Sequence, residues 1–392
     1  MRVLLLTDNF LPHRGGSRIY YHELFSRLAK RDDCEVHILT RAQEGDAAFD
    51  AKQPYAVTRC PLEESEFLEK YDLQHAPIYR NLWKFGRQLV RDFQPHVIVA
   101  GELVPTGPVV RWLASRAKLP YIIYTHAEGP ATIARTRFQS RLARWACRRA
   151  GRIVAASDNA QLSLVVDLGA DPERISVIVP GVGEGHFDPQ YQANPCDAPF
   201  TKDHPARILT VGRLIERKGH IQVLRAMPEL IQQIPDIHYT IIGTGYTEGL
   251  IRQKIKDLGL QDYVDLRGGV SDEELFRAYA ESDLFVLPNH DNRETGDTEG
   301  FVIALGEASA HGLPVIGGRA GGTMHSVRDG ETGLLVDGSN PGAISDAVLD
   351  LLSQPEKARE MGLRGQTFAR EKMQWNTRAE EFYDILERQT AI

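Results

Sequence analysis

Short apolar runs alternate with stretches of helical periodicity along the whole chain, in two similar series. In the first half the runs are Val3–Thr7, Glu35–Thr40, Val97–Ala100, Tyr121–Tyr124, Ile153–Ala155 and Ile175–Val179. In the second half they are Ile208–Val211, Tyr239–Ile242, Val264–Leu266, Leu284–Leu287, Pro314–Ile316 and Leu334–Val336. Because the runs are apolar throughout, they predict strands buried on both faces of a parallel sheet. Strands that alternate with helices predict an α/β fold with one doubly wound sheet in each half.

A proline-rich segment of low apolar content, Phe187 to Arg207, separates the two series and is typical of a linker. The predicted order is an N-terminal domain over 1–188, a linker over 189–206, a C-terminal domain over 207–374 and a tail over 375–392. The tail carries a predicted helix from about Thr377 to Gln389. Since the second sheet is complete before it, this helix is expected to return to the first domain. Open α/β sheets bind ligands at the carboxyl ends of their strands, so a cleft between the domains is the expected active site.

Composition narrows the class of protein. The 392 residues are 42% hydrophobic and 25% charged, as in soluble globular proteins, and the net charge of −7 disfavours a general nucleic-acid binder. The four cysteines lie far apart without metal spacing, which favours a reduced, cytoplasmic compartment over a disulfide framework. The apolar N-terminus is too short for a signal peptide, and no run reaches the roughly eighteen apolar residues of a membrane span.

Two carboxylates, Glu299 and Glu307, lie eight positions apart where a glycine-containing loop leads into an apolar helix. Gly300 permits close approach of the backbone, and a helix N-terminus favours an anionic ligand. Eight residues at helical rise span about 12 Å, so each carboxylate could accept hydrogen bonds from one sugar of a sugar nucleotide. The alternative is an ordinary helix with one acid near its N-terminus and one in solvent.

Cations and glycines follow several other strands. Arg213 and Lys218, in the segment Gly212 to Gly219, could neutralise a diphosphate, although an ordinary surface loop fits equally well. Gly15 and Gly16 follow the first strand and could bring backbone N–H groups to a phosphate, whereas a simple turn is the alternative.

Gly243 and Gly245 resemble half of a dinucleotide fingerprint, but Glu248 occupies the third glycine position. His126 ends a strand of the first domain, where it could donate to a sugar hydroxyl, line the reaction centre or cap the strand. The chain contains no Asp-x-Asp and no histidine–carboxylate group with metal spacing, so no metal is expected.

The segment Arg135 to Arg152 is strongly basic and contains no acid. Its seven arginines are Arg135, Arg137, Arg141, Arg144, Arg148, Arg149 and Arg152. Phe138, Leu142 and Trp145 recur between them at helical spacing. The helix could lie on an anionic membrane surface, or it could pack its apolar stripe on the core and solvate its charges.

Taken together, these motifs resemble those of the retaining glycosyltransferases of family 4, which have the GT-B fold of two Rossmann-like domains. The resemblance rests on Gly15–Gly16, Thr125–His126, Val177–Val182, Gly212–Gly219, Glu299–Glu307 and Gly312–Ile316. One departure is Pro180-Gly181-Val182, where the family has Pro-Asn-Gly-Val. Glu294–Gly300 is similar to the corresponding region of GDP-mannose-dependent mannosyltransferases that act on phosphatidylinositol mannosides.

The resemblance implies roles for matching residues. Arg213 and Lys218 would bind the donor diphosphate together with the backbone at Gly15 and Gly16. Glu299 would hold the transferred sugar with the amides of Gly300, Phe301 and Val302, and Glu307 would hold the ribose. His126 would contact the sugar near its anomeric centre. The nucleobase would rest near Gly243, Gly245, Arg267 and Gly268.

The implied activity is transfer of a hexose from a nucleotide-diphosphate sugar to a hydroxyl of a glycan, glycolipid or small molecule. Transfer would retain the anomeric configuration and need no metal or cofactor, with GDP-mannose favoured over UDP-sugars. A GT-B-type sugar-nucleotide epimerase, an NAD-dependent dehydrogenase and a non-enzymatic ligand-binding module are the alternatives. Peripheral membrane contact through 135–152 at the cytoplasmic face and a homodimer stay open, and no nucleic-acid partner is expected.

Overall fold

The chain divides into two compact units in the computed structural model. The first comprises Met1–Pro180 and Trp375–Ile392, and the second comprises Gly181–Gln374. The structure describes residues 1–8, 10–12, 16–61, 76–126, 130, 133–134, 136–193, 200–291 and 300–391.

The first unit is built on a parallel sheet of seven strands. They are β1 (Arg2–Leu6), β2 (Glu35–Arg41), β3 (Ala56–Cys60), β4 (Val97–Ala100), β5 (Tyr121–Thr125), β6 (Arg152–Ala155) and β7 (Ile175–Val177). Their order in the sheet is β3-β2-β1-β4-β5-β6-β7, and every pairing is parallel. The helices before the second unit are α1 (Gly16–Ala29), α2 (Asp46–Asp50), α3 (Ala76–Phe93), α4 (Thr106–Ala117), α5 (Arg137–Cys147) and α6 (Asp158–Val166).

Strand β3 is the one strand of this sheet that the apolar pattern does not predict. It lies at the sheet edge, and its only buried side chain is Cys60. Arg59 within it forms an ion pair of 2.7 Å with Asp50. An edge strand packs against one neighbour only, so it can carry polar residues and lacks the continuous apolar run of a central strand.

The second unit is built on a parallel sheet of six strands. They are β8 (Ala206–Val211), β9 (Ile237–Ile242), β10 (Val264–Gly268), β11 (Leu284–Leu287), β12 (Val315–Gly318) and β13 (Leu334–Val336), in the order β10-β9-β8-β11-β12-β13. The helices are α7 (His220–Gln233), α8 (Glu248–Asp257), α9 (Asp272–Ala280), α10 (Ile303–Ala310), α11 (Pro341–Leu352) and α12 (Pro355–Lys372). All six strands coincide with predicted runs, and the prediction of two doubly wound sheets is confirmed.

The last helix, α13 (Trp375–Thr390), belongs to the first unit, as predicted. Its apolar face packs on α1 and the sheet through Trp375 and Phe382, whose rings lie 5.1 Å from Tyr20 and 5.7 Å from Phe25. Arg31 at the end of α1 adds an ion pair of 2.7 Å with Glu380. Burial of two large aromatic rings stabilises this docking far more than an exposed ion pair can.

Candidate functional site

Each sheet reverses the direction of its strand order at one place, and Arg213 and Lys218 follow one of the two strands at the reversal in the second sheet. In the second unit β8 is followed outward by β9 and β10, while β11 leads to β12 and β13 on the other side. Loops that leave the carboxyl ends of β8 and β11 therefore diverge and open a crevice, which is where open α/β sheets bind ligands. In the first unit the corresponding switch lies between β1 and β4.

Arg213 lies in the loop that leaves the carboxyl end of β8. Backbone hydrogen bonds hold both of its neighbours against the loop after β9: Gly212 N donates to Ile242 O at 3.0 Å, and Leu214 N donates to Thr244 O at 2.9 Å. The Leu214 side chain is buried, whereas Arg213 is exposed. The backbone on both sides of Arg213 is thus fixed, and the residue lies just beyond the carboxyl end of β8.

Lys218 ends a single 3-10 turn, Glu216–Lys218, and is 8% exposed. Gly219 follows with φ +76° and begins α7. A Cβ on Gly219 would lie 2.3 Å from the carbonyl oxygen of Pro288 after β11, so only glycine allows this close approach. The turn therefore brings the largely buried Lys218 close to the segment that follows β11.

The two glycines after β9 have a structural role that the sequence does not reveal. A Cβ on Gly243 would lie 1.9 Å from Gly212 O, and one on Gly245 would lie 2.3 Å from Leu214 O. Gly243 N also donates to Gly268 O at 2.8 Å. These glycines let three neighbouring strand-end loops pack backbone to backbone, and the loop that carries Arg213 depends on them. Their contact with a nucleobase stays a prediction.

Arg267 precedes Gly268 in β10 and forms an ion pair with Asp265. Its Nε donates to Asp265 Oδ2 at 2.7 Å, and its side chain is 41% exposed. An exposed pair of this kind breaks at little cost, about 0–1 kcal/mol, so Arg267 could exchange Asp265 for another acceptor.

Gly300, Phe301 and Val302 lead directly into α10. A Cβ on Gly322 would lie 1.8 Å from Gly300 O, so a second glycine permits this loop to pack. Because α10 begins at Ile303, the helical-rise estimate of about 12 Å between Glu299 and Glu307 does not apply to the residues before it. Glu299 and Gly15 lie outside the described residues, and their predicted roles stay predictions.

Glu307 lies one turn into α10 in a largely buried environment. Tyr279 Oη donates to its Oε2 at 3.0 Å, and His186 Nε2 lies 3.5 Å from its Oε1. Its side chain keeps 21% exposure, so a ligand can reach it. Burial raises the pKa of Glu307, and the hydrogen bond from Tyr279 opposes that shift. Sequence reasoning identified Glu307 but not its partners, because they come from segments distant in the chain.

In the first unit, Gly16 follows β1 and His126 follows β5. Gly16 opens α1, and a Cβ there would meet no described atom within 4 Å, so packing against the described residues does not require this glycine. His126 follows β5, and its ring lies 5.3 Å from each of the Tyr20 and Tyr21 rings. Desolvation in these surroundings lowers the pKa of His126 to about 4, so the imidazole is neutral at physiological pH.

Tyr21 determines which ring nitrogen of His126 carries the proton. The Tyr21 hydroxyl donates to Gly101 O and lies 3.0 Å from His126 Nε2. Since its proton is committed to Gly101, the hydroxyl oxygen accepts from Nε2–H. Nδ1 then carries the lone pair, and it has no hydrogen-bond partner among the described residues. His126 Nδ1 is therefore a hydrogen-bond acceptor, and the contact of His126 with a sugar stays a prediction.

Substituting His126 should show whether its Nδ1 accepts a hydrogen bond from the substrate. His126→Asn places an amide oxygen near the Nδ1 position and should retain most of the turnover, whereas His126→Ala should lose about tenfold, the value of one hydrogen bond. Steady-state sugar transfer measures both. Because the pKa of His126 is about 4, wild-type turnover should show no histidine titration from this residue above pH 5. Equal turnover in His126→Ala and wild type would remove His126 from the site.

Glu102, which the sequence pattern did not single out, places a buried carboxyl group near the first switch point. Glu102, after β4, accepts hydrogen bonds from Thr7 Oγ1, from Asp8 N at 3.2 Å and from Thr106 Oγ1 at 2.9 Å. Burial, with a further contribution from Asp8, raises the pKa of Glu102 to about 7. Asp8 itself pairs with Arg41 at 2.8 Å. Thr7-Asp8 and Gly101-Glu102 follow neighbouring strands, and that adjacency was the available signal.

Metal binding finds no support among the described side chains. Within that part of the chain no three His, Cys, Asp or Glu side chains cluster as metal ligands would. Glu294, Asp297 and Glu299 fall outside it, so metal independence stays a prediction. Likewise, no described helix combines the length and apolar character needed to cross a membrane.

Known proteins resemble this chain in sequence and in fold. Residues 15–181 match the family model described as "Glycosyl transferase 4-like domain", and residues 197–368 match "Glycosyl transferases group 1". A GDP-mannose-dependent alpha-(1-6)-phosphatidylinositol monomannoside mannosyltransferase of Mycolicibacterium smegmatis is 29% identical, over 98% of both chains. A D-inositol 3-phosphate glycosyltransferase of Paenarthrobacter aurescens is 30% identical, over 93% of this chain and 91% of the relative. The crystal structure of Anabaena Alr3699/HepE in complex with UDP superposes with a TM-score of 0.79 at 18% identity, covering 99% of this chain and 100% of that one.

Two parallel, doubly wound sheets with a returning C-terminal helix define the GT-B architecture, as predicted. The chain belongs to the glycosyltransferase family that combines a 4-like N-terminal domain with a group 1 C-terminal domain. The prediction of a hexosyltransferase enzyme is thereby confirmed.

Proposed function

We propose that the enzyme transfers mannose from GDP-mannose to a hydroxyl of a lipid-linked glycan or inositol-containing acceptor, with retention of configuration and without a metal. The observation that carries the proposal is that Arg213 and Lys218 both lie in the loop after β8, one of the two strands at the switch point of the second sheet. Relatives named for GDP-mannose and for phosphatidylinositol mannosides, matching nearly the whole chain, support the choice of donor and acceptor.

The chemistry requires a site that stabilises a leaving diphosphate. As the glycosidic bond to the phosphate breaks, negative charge develops on the diphosphate and positive character on the sugar. Arg213 and Lys218 supply fixed positive charge on a rigid backbone, and this preorganised arrangement stabilises developing charge without reorganisation. Retention follows if the acceptor hydroxyl attacks from the face that the phosphate leaves, with a phosphate oxygen taking the acceptor proton.

A panel of nucleotide sugars tests the donor. Thermal melting is recorded with GDP-mannose, GDP-glucose, UDP-glucose and UDP-N-acetylglucosamine, and GDP-mannose should raise the melting temperature most. A ligand at one hundred times its Kd stabilises by about 2.7 kcal/mol, which gives a visible shift. A larger shift with UDP-sugars would refute GDP-mannose as the donor.

Products separate transfer from the epimerase alternative. A glycosyltransferase converts the donor to a glycoside only when an acceptor such as phosphatidylinositol monomannoside is present, whereas an epimerase changes the sugar nucleotide without an acceptor. Proton NMR of the glycoside reports its anomeric configuration. A β-linked product from an α-linked donor would refute retention.

An aromatic and basic face on the first unit supports membrane contact. Three of the four tryptophans lie there on α3, α4 and α5. Trp83 stacks on Trp112 at 5.3 Å, Arg116 covers Trp112 at 5.0 Å, and Arg111 covers Trp145 at 4.0 Å. Although each ring is packed on one side, Trp112 is 46% and Trp145 is 41% exposed. Tryptophan with adjacent cations is the side-chain chemistry that proteins place at membrane–water interfaces. We call these five residues the tryptophan–arginine face.

The charge of the surrounding segment points to an anionic surface. Residues 76–152 contain fourteen Lys and Arg but three Asp and Glu, a formal charge of +11 within a chain of net charge −7. Each basic residue close to an anionic leaflet contributes about 1 kcal/mol, screened by salt. A lipid-linked acceptor resides in such a membrane, so surface binding would concentrate the enzyme beside its substrate.

Vesicle binding tests the tryptophan–arginine face. We expect cosedimentation with phosphatidylcholine vesicles that contain phosphatidylinositol, little with phosphatidylcholine alone, and loss in high salt. Trp112→Ser/Trp145→Ser should abolish most binding, and Arg141→Gln/Arg148→Gln should weaken it. The matched control, Arg252→Gln/Arg277→Gln on exposed helices of the second unit, should bind like the wild type. Equal loss in the control, or no loss in Trp112→Ser/Trp145→Ser, would refute the assignment.

A further inference from the structure

A chain of buried polar groups connects Glu307 to the backbone of the second unit. His186 Nδ1 lies 3.0 Å from His311 Nε2, and His311 Nδ1 lies 2.6 Å from Tyr191 O. His186 Nε2 faces Glu307 Oε1 at 3.5 Å. The two imidazoles are 7% and 0% exposed, respectively. Nothing in the family resemblance or in the relatives' names assigns a role to either histidine.

The carbonyl at one end sets the direction of this chain. A carbonyl oxygen only accepts hydrogen bonds, so His311 Nδ1 carries a proton and donates to Tyr191 O. Burial lowers the pKa of His311 to about 4, so its ring is neutral and its Nε2 bears a lone pair. His186 Nδ1 must then donate to that lone pair. Because two acceptors facing each other repel, one proton must lie between His186 Nε2 and Glu307 Oε1, either on the imidazole or on the carboxyl group.

We propose that His186 is the positioning residue for Glu307: its Nε2 carries the proton that keeps the Glu307 carboxylate ionised and oriented toward the donor ribose. The proposal rests on the ribose-binding role of Glu307 in the proposed function. An ionised carboxylate has about four acceptor positions. Tyr279 Oη donates to Oε2, and in the proposed arrangement His186 Nε2, which lies 3.5 Å from Oε1, would donate to Oε1. Two positions would then be left for the two adjacent hydroxyls of a ribose.

Several other groups affect the pKa of Glu307. Tyr279 on α9 and His311, just after α10, lower this pKa, whereas Asp272 at the start of α9 raises it. The His186 ring itself packs on Phe276 at 4.8 Å and on Tyr279 at 5.7 Å. Burial raises the pKa of Glu307, which would neutralise the carboxyl as pH falls. A proton on His186 Nε2 would oppose that protonation and hold Oε1 in its orientation.

Two isosteric substitutions separate the two ring nitrogens of His186. The amide nitrogen of His186→Gln reaches the Nε2 position and can donate to Glu307 without titrating. The amide of His186→Asn reaches only the Nδ1 position and leaves Oε1 of Glu307 without a donor. We expect His186→Asn to weaken GDP binding by about tenfold, while His186→Gln stays within about threefold of the wild type. Affinity is measured by calorimetry on the full chain, with GDP and with 2′,3′-dideoxy-GDP.

The dideoxy nucleotide decides the interpretation. His186→Gln should keep the wild-type preference for GDP over dideoxy-GDP, and His186→Asn should lose most of it. Neither variant should change the affinity for dideoxy-GDP. If the wild type binds GDP and dideoxy-GDP equally, Glu307 does not hold the ribose and that part of the proposed function fails. If the wild type prefers GDP but both variants behave alike, the positioning role of His186 is overturned. Should His186→Asn fail to fold, the preference of His186→Gln for GDP over dideoxy-GDP decides alone.

Discussion

Replacing Lys218 by methionine should reduce kcat/KM by about 10- to 150-fold, the loss expected for a contact of roughly 1.5–3 kcal/mol to a charged group. Methionine keeps the apolar stem that packs in this largely buried position while removing the charge. The leaving diphosphate gains charge in the transition state, so the loss should appear in turnover as well as in GDP affinity. Arg213→Ala, from the same loop, should lose a similar factor.

Two controls make this result specific to the diphosphate. Lys218→Arg restores the positive charge and should recover part of the turnover, although its larger head fits the 3-10 turn less well. Arg225→Ala removes an exposed cation from α7, the helix that follows the same loop, and should act like the wild type. Melting temperatures should establish that all variants are folded. A folded Lys218→Met enzyme with normal turnover would exclude Lys218 from the diphosphate site.

Glu299→Ala and Glu307→Ala should have different effects, one mainly on turnover and the other on nucleotide binding. Glu299 is assigned to the transferred sugar by resemblance, so its loss should cut turnover by about a hundredfold and leave GDP affinity nearly unchanged. Glu307 is assigned to the ribose, so its loss should weaken GDP and GDP-mannose alike. Calorimetry with GDP and steady-state kinetics with GDP-mannose distinguish the two patterns. Equal loss of GDP affinity in both variants would contradict the assignment of Glu299 to the transferred sugar and Glu307 to the ribose.

The sequence predicts the sheets well because buried parallel strands leave a strong signal. Runs such as Leu284–Leu287 are apolar on both faces, and all four side chains are buried. Edge strand β3 leaves no such signal, because half of its surroundings are polar and Arg59 within it forms an ion pair. Local apolar content therefore reveals central strands and misses edge strands.

The residues of the candidate site also differ in how far the sequence predicts their positions. Arg213 and Lys218 follow one strand, so their common position can be inferred from spacing. The partners of Glu307 cannot, since His186 precedes it by more than a hundred positions and Tyr279 lies on another helix. Likewise, the proton position on His126 depends on the Tyr21 hydroxyl and the Gly101 carbonyl, which come from two other elements. Hydrogen-bond direction is a property of the folded arrangement and leaves no local pattern in the sequence.

The central claim is that fixed cations of the chain, and not a metal ion, stabilise the leaving diphosphate. The most direct test is transfer of radiolabelled mannose from GDP-mannose to phosphatidylinositol monomannoside in excess EDTA. We predict that transfer continues at a rate similar to that without EDTA, because Arg213 and Lys218 already supply the positive charge. Complete loss in EDTA, restored by one divalent ion, would contradict the claim and indicate that acids such as Asp291, Glu294 or Asp297 hold a metal.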